Sequence, residues 1–152
     1  MPVVPDASIA AIRDQQQAIM ECCNRLLAVI ATGSNAGITE CRARLSSLLH
    51  ANLAEEDRVL NAPIRRLPLI SRPVGYSEIT QEAADLRGRY SAHVGKWNNA
   101  SITRDPAGYE RDVRVLVIDV KQHLQKKQRL IPGWVRIIES AEIIKLGDKQ
   151  FG

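Results

Sequence analysis

Six polar or ionisable residues occupy positions at which the apolar stripes of helices normally carry aliphatic side chains. They are Gln16, Asn52, Glu56, His93, His123 and Lys127. A polar group in a protein core is unfavourable unless it is hydrogen-bonded, paired with an opposite charge or bound to a ligand. A single such residue is usually a satisfied core group, but a set spread over four helices predicts a shared polar centre. Histidine and carboxylate side chains on facing helices can also bind a metal ion.

The elements that must position these residues are helices, because apolar residues recur at alternating steps of three and four along most of the chain. The stripe of the first helix, interrupted only by a glutamine, reads Ile9, Ile12, Gln16, Ile19, Cys23, Leu26, Ile30. The same spacing predicts long helices over about 8–31, 38–61, 77–98 and 106–131.

Proline and glycine residues predict the boundaries between these helices. Asp105-Pro106 favours the start of the fourth helix, after a loop over 98–105. Pro132-Gly133 is expected to end that helix, and 135–146 to form a short extra C-terminal helix. We therefore expect an all-α bundle, with one domain over 1–152 and a core of about 8–134.

Composition narrows the class of protein. Hydrophobic residues make up 45% of the 152 residues and aromatic residues only 4%, so the core is expected to be aliphatic. The three cysteines, Cys22, Cys23 and Cys41, are an odd number and do not predict a disulfide framework. The start of the chain lacks the pattern of a signal peptide, and no apolar run is long enough to span a membrane. These features predict a reduced, cytoplasmic protein.

The formal net charge of +4 could favour nucleic acid only if the basic residues were clustered. They are mostly dispersed, and only the segment Lys121–Arg129 is dense. Nucleic-acid binding is therefore not favoured, although a small basic nucleic-acid-associated protein is left as an alternative that a salt-dependent retention assay would reveal. No glycine-rich phosphate loop, CxxC pair or Ser-His-Asp arrangement indicates an enzyme.

Four segments resemble motifs of the hemerythrin-like (HHE cation-binding) domain family. LSSLLHANLAEEDRVLNAP (45–63) is similar to the segment in which that family places leucines, His-Leu-x-x-Glu-Asp and Leu-Tyr-Pro, and HLQKKQRLIP (123–132) resembles its second copy. IRDQQQAI (12–19) resembles the first-helix motif, and ITQEAADLRGRYSAHVGKWNNASI (79–102) the penultimate long helix with its tryptophan. The order of these segments covers 9–134. The resemblance implies an up-down four-helix bundle and, in many members, two iron ions that bind or sense dioxygen or nitric oxide.

Carried over position by position, the resemblance also implies that the iron ligands have been lost. The histidines of the first two helices fall at Gln16 and Asn52, whereas an acidic ligand is kept as Glu56. In the last motif His123 is kept, but the acidic position holds Lys127. An ammonium group repels a divalent cation, so Lys127 is expected to form a buried ion pair with Glu56 where the iron would lie.

The expected function is therefore a binding or regulatory module with a degenerate, metal-free centre and no cofactor. The segment Lys121–Arg129 and the C-terminal helix are its candidate contact surfaces for a protein partner. The alternative is an iron-binding protein for dioxygen or nitric oxide with a reduced ligand set of Glu56, His93 and His123. The sequence leaves the partner and the oligomeric state open.

Overall fold

A computed structural model describes the backbone of residues 4–151 and the side chains of 4–147. All regular elements of this part of the chain are helical, which confirms the all-α prediction. The α-helices are α1 (Asp6–Thr32), α2 (Asn35–Glu56), α3 (Ala62–Arg65), α4 (Tyr76–Lys96), α5 (Asn99–Arg104) and α6 (Pro106–Phe151). A π-helical turn (Asp57–Asn61) joins α2 to α3, and a 3₁₀ turn (Leu69–Ser71) precedes α4. None of the described helices is long and apolar enough to cross a membrane.

Local chemistry sets the ends of the first two helices and the start of α6. Gly33 ends α1 with a φ of 71°, a left-handed conformation that costs glycine little. Ser34 then caps α2, because its Oγ accepts a hydrogen bond from the Gly37 backbone N–H at 3.1 Å. Asp105 does the same for α6 through the Gly108 N–H at 3.0 Å, so the predicted start at Asp105-Pro106 is confirmed.

Two predictions for the second half of the chain are wrong: the end of the fourth helix at Pro132-Gly133 and the loop over 98–105. α6 does not end at Pro132-Gly133 but runs through them to Phe151, so 135–146 is not a separate helix. Pro132 removes one backbone hydrogen bond, but it lies on the exposed face of the helix. Trp134 and Ile138, on the opposite face, are buried and favour continuation of the helix. The expected loop over 98–105 contains the short helix α5.

The long helices pack side by side, with α1 against α2 and α6, and α4 against α6. The α4–α6 pair is antiparallel, since residue numbers rise along one helix as they fall along the other. Three ion pairs mark this order: Glu82–Lys126, Arg89–Asp119 and Lys96–Asp112. The α2–α4 side is held by a hydrogen bond of 2.6 Å between the hydroxyls of Ser46 and Tyr90 and by one from the Arg42 guanidinium to the backbone carbonyl of Trp97, which ends α4.

The apolar core is divided into two clusters. One contains Ile19, Leu26, Leu45, Tyr109, Val117 and Leu124 with their neighbours. The other contains Ile12, Leu60, Ile64, Ile79, Ile131 and Trp134 with theirs. Gln16 lies between Ile12 and Ile19 on α1, and Lys127 between Leu124 and Ile131 on α6. The polar residues of the stripes therefore form a layer between the clusters.

The π-helical turn begins directly after Glu56 and adjusts the face that α2 presents to the core. A step of four residues overshoots an α-helical turn by about 40°, so a strict four-residue series drifts off one face. The wider π turn, with its i→i+5 hydrogen bonds, compensates this drift. As a result Glu56, Leu60 and Ile64 are all buried, although they lie four residues apart.

Candidate functional site

The centre of the polar layer is the carboxylate of Glu56. Its Oε1 accepts a hydrogen bond from the Lys127 ammonium at 2.7 Å, and its Oε2 lies 3.5 Å from Nε2 of Gln16. The Glu56 side chain is 3% exposed and that of Lys127 is 13% exposed. The ion pair predicted from the sequence is thus present, with three helices contributing to it.

Asn52 lies one turn before Glu56 on α2 and is also buried. Its amide nitrogen donates to Oε1 of Gln15 at 3.1 Å, so it is satisfied by α1 and not by the Glu56 carboxylate. Sequence reasoning missed Gln15 because it lies beside the apolar stripe and not on it. Gln15 and Gln16 together connect α1 to both polar residues of α2.

Nδ1 of His123 is satisfied from α4 by a residue that lies off the predicted apolar stripe. Its Nδ1 lies 2.9 Å from Oε1 of Glu82, and Oε2 of the same carboxylate accepts from Lys126 at 3.0 Å. The short connection between α4 and α6 could have predicted this partner, because it makes the two helices antiparallel and places residue 82 opposite 123–126. Glu82, one residue before Ala83 of the stripe, therefore completes the polar layer from α4.

The charges around His123 fix which ring nitrogen carries the proton. Hydrogen bonds from Lys126 and His123 lower the pKa of Glu82, so this carboxylate is ionised at neutral pH and can only accept. Burial, followed by the nearby Lys127 ammonium, lowers the pKa of His123 against the opposing effect of Glu82. The imidazole is therefore neutral, with the proton on Nδ1 and a bare Nε2. Among the described residues Nε2 has no hydrogen-bond partner, although it is buried.

His93 does not belong to the polar layer, and its assignment to that centre is wrong. Its ring stacks on Tyr109, with 5.7 Å between the centroids. Trp97 and the Arg42 guanidinium contact the same tyrosine ring. Burial and then Arg42 lower the pKa of His93. His93 shares the apolar stripe of α4 but lies eleven residues from Glu82 along that helix. This separation corresponds to a rise of about 16 Å, which places His93 outside the polar layer.

The alternative iron ligands, Glu56, His93 and His123, are accordingly not brought together. Over the described part of the chain there is no group of three or more His, Cys, Asp or Glu side chains with the geometry to hold a metal ion. The Lys127 ammonium lies 2.7 Å from the Glu56 carboxylate, and its positive charge opposes the binding of a cation there.

The dense basic segment Lys121–Arg129 is only partly available to a partner. Lys121 hydrogen-bonds to Asn24 of α1, Lys126 pairs with Glu82, and Lys127 is directed into the core. Three of its ammonium groups are therefore used within the chain, which weakens the expectation that this segment is a contact surface.

A cavity of about 300 Å³ lies between α2 and α4, above α6. His123 and Lys127 line it together with apolar side chains that include Leu49, Leu86 and Leu124. It opens to solvent on the α2–α4 side, where Leu53 is exposed. The polar layer thus borders a cavity of a size found for small-molecule sites.

The chain matches no protein-family model, and no match was found among characterised proteins or solved structures. The resemblance to the hemerythrin-like family therefore stays a prediction from the four sequence segments.

Proposed function

We propose that this chain is a hemerythrin-like up-down four-helix bundle with a metal-free centre, acting as a binding or regulatory module and not as an enzyme. The antiparallel contacts of α4 with α6 and the short turn between α1 and α2 support this arrangement. Each long helix contributes a residue to the polar layer, as expected of a bundle whose core once held ligands from all of them.

The observation that carries this proposal is the contact between Lys127 and Glu56. The Lys127 ammonium lies 2.7 Å from Oε1 of Glu56, and its positive charge opposes the binding of a divalent cation to the same carboxylate. Gln16 and Asn52 stand where the family has histidines, and amides are poor ligands for iron. Apart from Nε2 of His123, the polar layer is thus satisfied by hydrogen bonds and by the ion pairs Glu56–Lys127 and Glu82–Lys126.

Elemental analysis tests this proposal. The protein is produced in medium supplemented with iron and zinc, and a known di-iron bundle protein is prepared in parallel as a positive control. We expect iron and zinc far below one ion per chain, whereas the control contains about two irons. Stoichiometric iron or zinc in our protein would refute the metal-free centre.

The setting is proposed to be reducing and cytoplasmic, which agrees with three free cysteines that are all buried. For a protein partner, the part of α6 beyond the core is the better candidate surface, because Ile143, Ile144 and Leu146 are exposed there. Nucleic-acid binding is disfavoured by the internal pairing of the basic segment.

A further inference from the structure

The cavity between α2 and α4 has walls made mainly of aliphatic side chains. They come from all three helices that border it, namely Leu49, Leu53, Leu86, Val120 and Leu124. Leu53 is 41% exposed, so part of this apolar surface is in contact with water. Because the removal of such surface from water is favourable, the walls favour a ligand with an apolar body.

The charged side chains that line the cavity all have the same sign. Arg87 and Lys127 are among the lining residues, whereas no aspartate or glutamate is. The Lys127 ammonium is already neutralised, because it contacts the Glu56 carboxylate at 2.7 Å. Arg87 is exposed and forms no ion pair within the described part of the chain. The lining therefore presents one uncompensated positive charge, which favours an anionic group on the ligand.

His50 lies across the opening of the cavity from Arg87. The hydrogen bonds between α2 and α4 show that the two helices are antiparallel, and one of them places Ser46 opposite Tyr90. His50, four residues after Ser46, is therefore level with the turn of α4 that contains Arg87. Both side chains are exposed and line the cavity, so they flank its opening from opposite helices. A guanidinium and an imidazole N–H in this arrangement are donors suited to one carboxylate.

We propose that the cavity binds a single aliphatic chain that ends in a carboxylate, that is, a medium-chain fatty acid. The carboxylate accepts hydrogen bonds from Arg87 and His50 at the opening, and the chain lies against the leucines of α2 and α4. A volume of about 300 Å³ is at the lower end of the range for small-molecule sites, which favours one chain over the two chains of a phospholipid. The inference rests on the proposed function as a binding module and names its ligand class.

The first test compares decanoate with decylammonium, which share a chain and differ in the sign of the head-group charge. Dissociation constants are measured by isothermal titration calorimetry on the full chain, after passage over a lipid-adsorbing resin and below the micelle-forming concentrations. We expect decanoate to bind at least about fivefold more tightly, which is the effect of one exposed ion pair. Equal affinities, or no binding of decanoate at millimolar concentration, would overturn the proposal.

The second test varies the length of the chain through hexanoate, octanoate and decanoate. One fully buried methylene strengthens binding about fourfold, so we expect a gain of about twofold to fourfold for each methylene added. Affinities that do not rise with length would show that the carboxylate alone is held, and would overturn the role of the apolar walls.

Two exposed arginines provide a matched pair of variants for the position of the carboxylate. Arg87→Gln should weaken the binding of decanoate about fivefold. Arg111→Gln removes the same charge from an exposed position on α6 that does not line the cavity, and it should change the affinity by less than about twofold. Neither side chain is buried, so both variants are expected to fold. Equal losses would indicate attraction by net charge and would overturn the contact with Arg87.

Two alanines of α4 provide a matched pair for the position of the chain. Ala83→Phe places a ring in the cavity and should abolish the binding of decanoate, whereas Ala84→Phe, exposed and outside the lining, should leave it unchanged. Far-UV circular dichroism is recorded for both variants. Binding that persists in a folded Ala83→Phe variant would overturn the assignment to this cavity, and if that variant does not fold, the arginine pair decides.

The outcomes separate this inference from the proposed function. A protein that contains no metal and does not bind decanoate overturns the fatty-acid site and leaves the metal-free centre intact. Stoichiometric iron in the same preparation refutes the proposed function, whatever the decanoate titration shows.

Discussion

Replacement of Lys127 by methionine is the perturbation whose cost follows most directly from the structure. It keeps the aliphatic stem and removes the ammonium that lies 2.7 Å from Glu56. At that distance, the attraction of two unit charges is about 6 kcal/mol at an effective dielectric constant of about 20. Desolvation of the two ions offsets most of it, so the intact pair adds little net stability. Removing one partner leaves the other charge buried, which typically costs about 3–5 kcal/mol.

A second limit on this cost comes from proton uptake, because the variant can remove the buried charge by protonating the unpaired carboxylate. Holding an ordinary glutamic acid protonated costs about 1.4 kcal/mol for each pH unit above 4.3, hence about 4 kcal/mol at pH 7 and about 1 kcal/mol at pH 5. Lys127→Met should therefore lower the free energy of unfolding by about 3–4 kcal/mol at pH 7 and by much less at pH 5. Adding Glu56→Gln, which removes the buried charge, should restore most of the loss.

The assay is urea unfolding followed by far-UV circular dichroism at the two pH values. Lys126→Met is the matched control, because the neighbouring lysine forms a 3.0 Å pair with Glu82 whose side chains are 49% and 34% exposed. Its loss should cost less than about 1 kcal/mol. If Lys127→Met cost no more than this control at pH 7, the buried ion pair would be refuted.

Four further predictions concern other residues. Pro132→Ala should raise the free energy of unfolding by about 1–3 kcal/mol in urea, because it restores a backbone hydrogen bond on an exposed face, and a decrease would contradict this. The lowered pKa of His123 means that the unfolded chain takes up this proton first, so its contribution to stability is lost as pH falls below about 6.5. Glu82→Ala should lower the pKa of His123 further in an NMR titration, and a rise would exclude the contact. Burial raises the pKa of Cys23 to about 11, so its thiol should react with an alkylating reagent only after unfolding, as peptide mass spectrometry would detect.

Helical periodicity was sufficient to predict the element types and most of the polar layer. A polar residue on an apolar stripe needs a partner, which singled out Glu56 and Lys127 among six residues. The comparison with the hemerythrin-like family then predicted that these two form an ion pair. The continuation of α6 through Pro132 could not be predicted, because local propensity favours an end there and only tertiary burial of Trp134 and Ile138 opposes it.

The position of each residue along the bundle axis could not be predicted either, because an apolar stripe does not define it. His93 fits the stripe of α4 as well as any residue, but stripes define a face and not a height along the bundle. Antiparallel pairing through a short connection supplies the height, and it brings Glu82 to His123. The cavity between α2 and α4 depends on helix spacing, which no sequence pattern encodes.

The central claim is that a lysine–glutamate pair occupies the position at which the resemblance places iron. Anomalous diffraction above the iron absorption edge, from crystals of protein produced in iron-supplemented medium, tests it most directly. We predict that the electron density shows the Lys127 ammonium in direct contact with the Glu56 carboxylate, with no anomalous peak beside this pair. A peak about 2 Å from a Glu56 oxygen, with Lys127 turned away, would contradict the account.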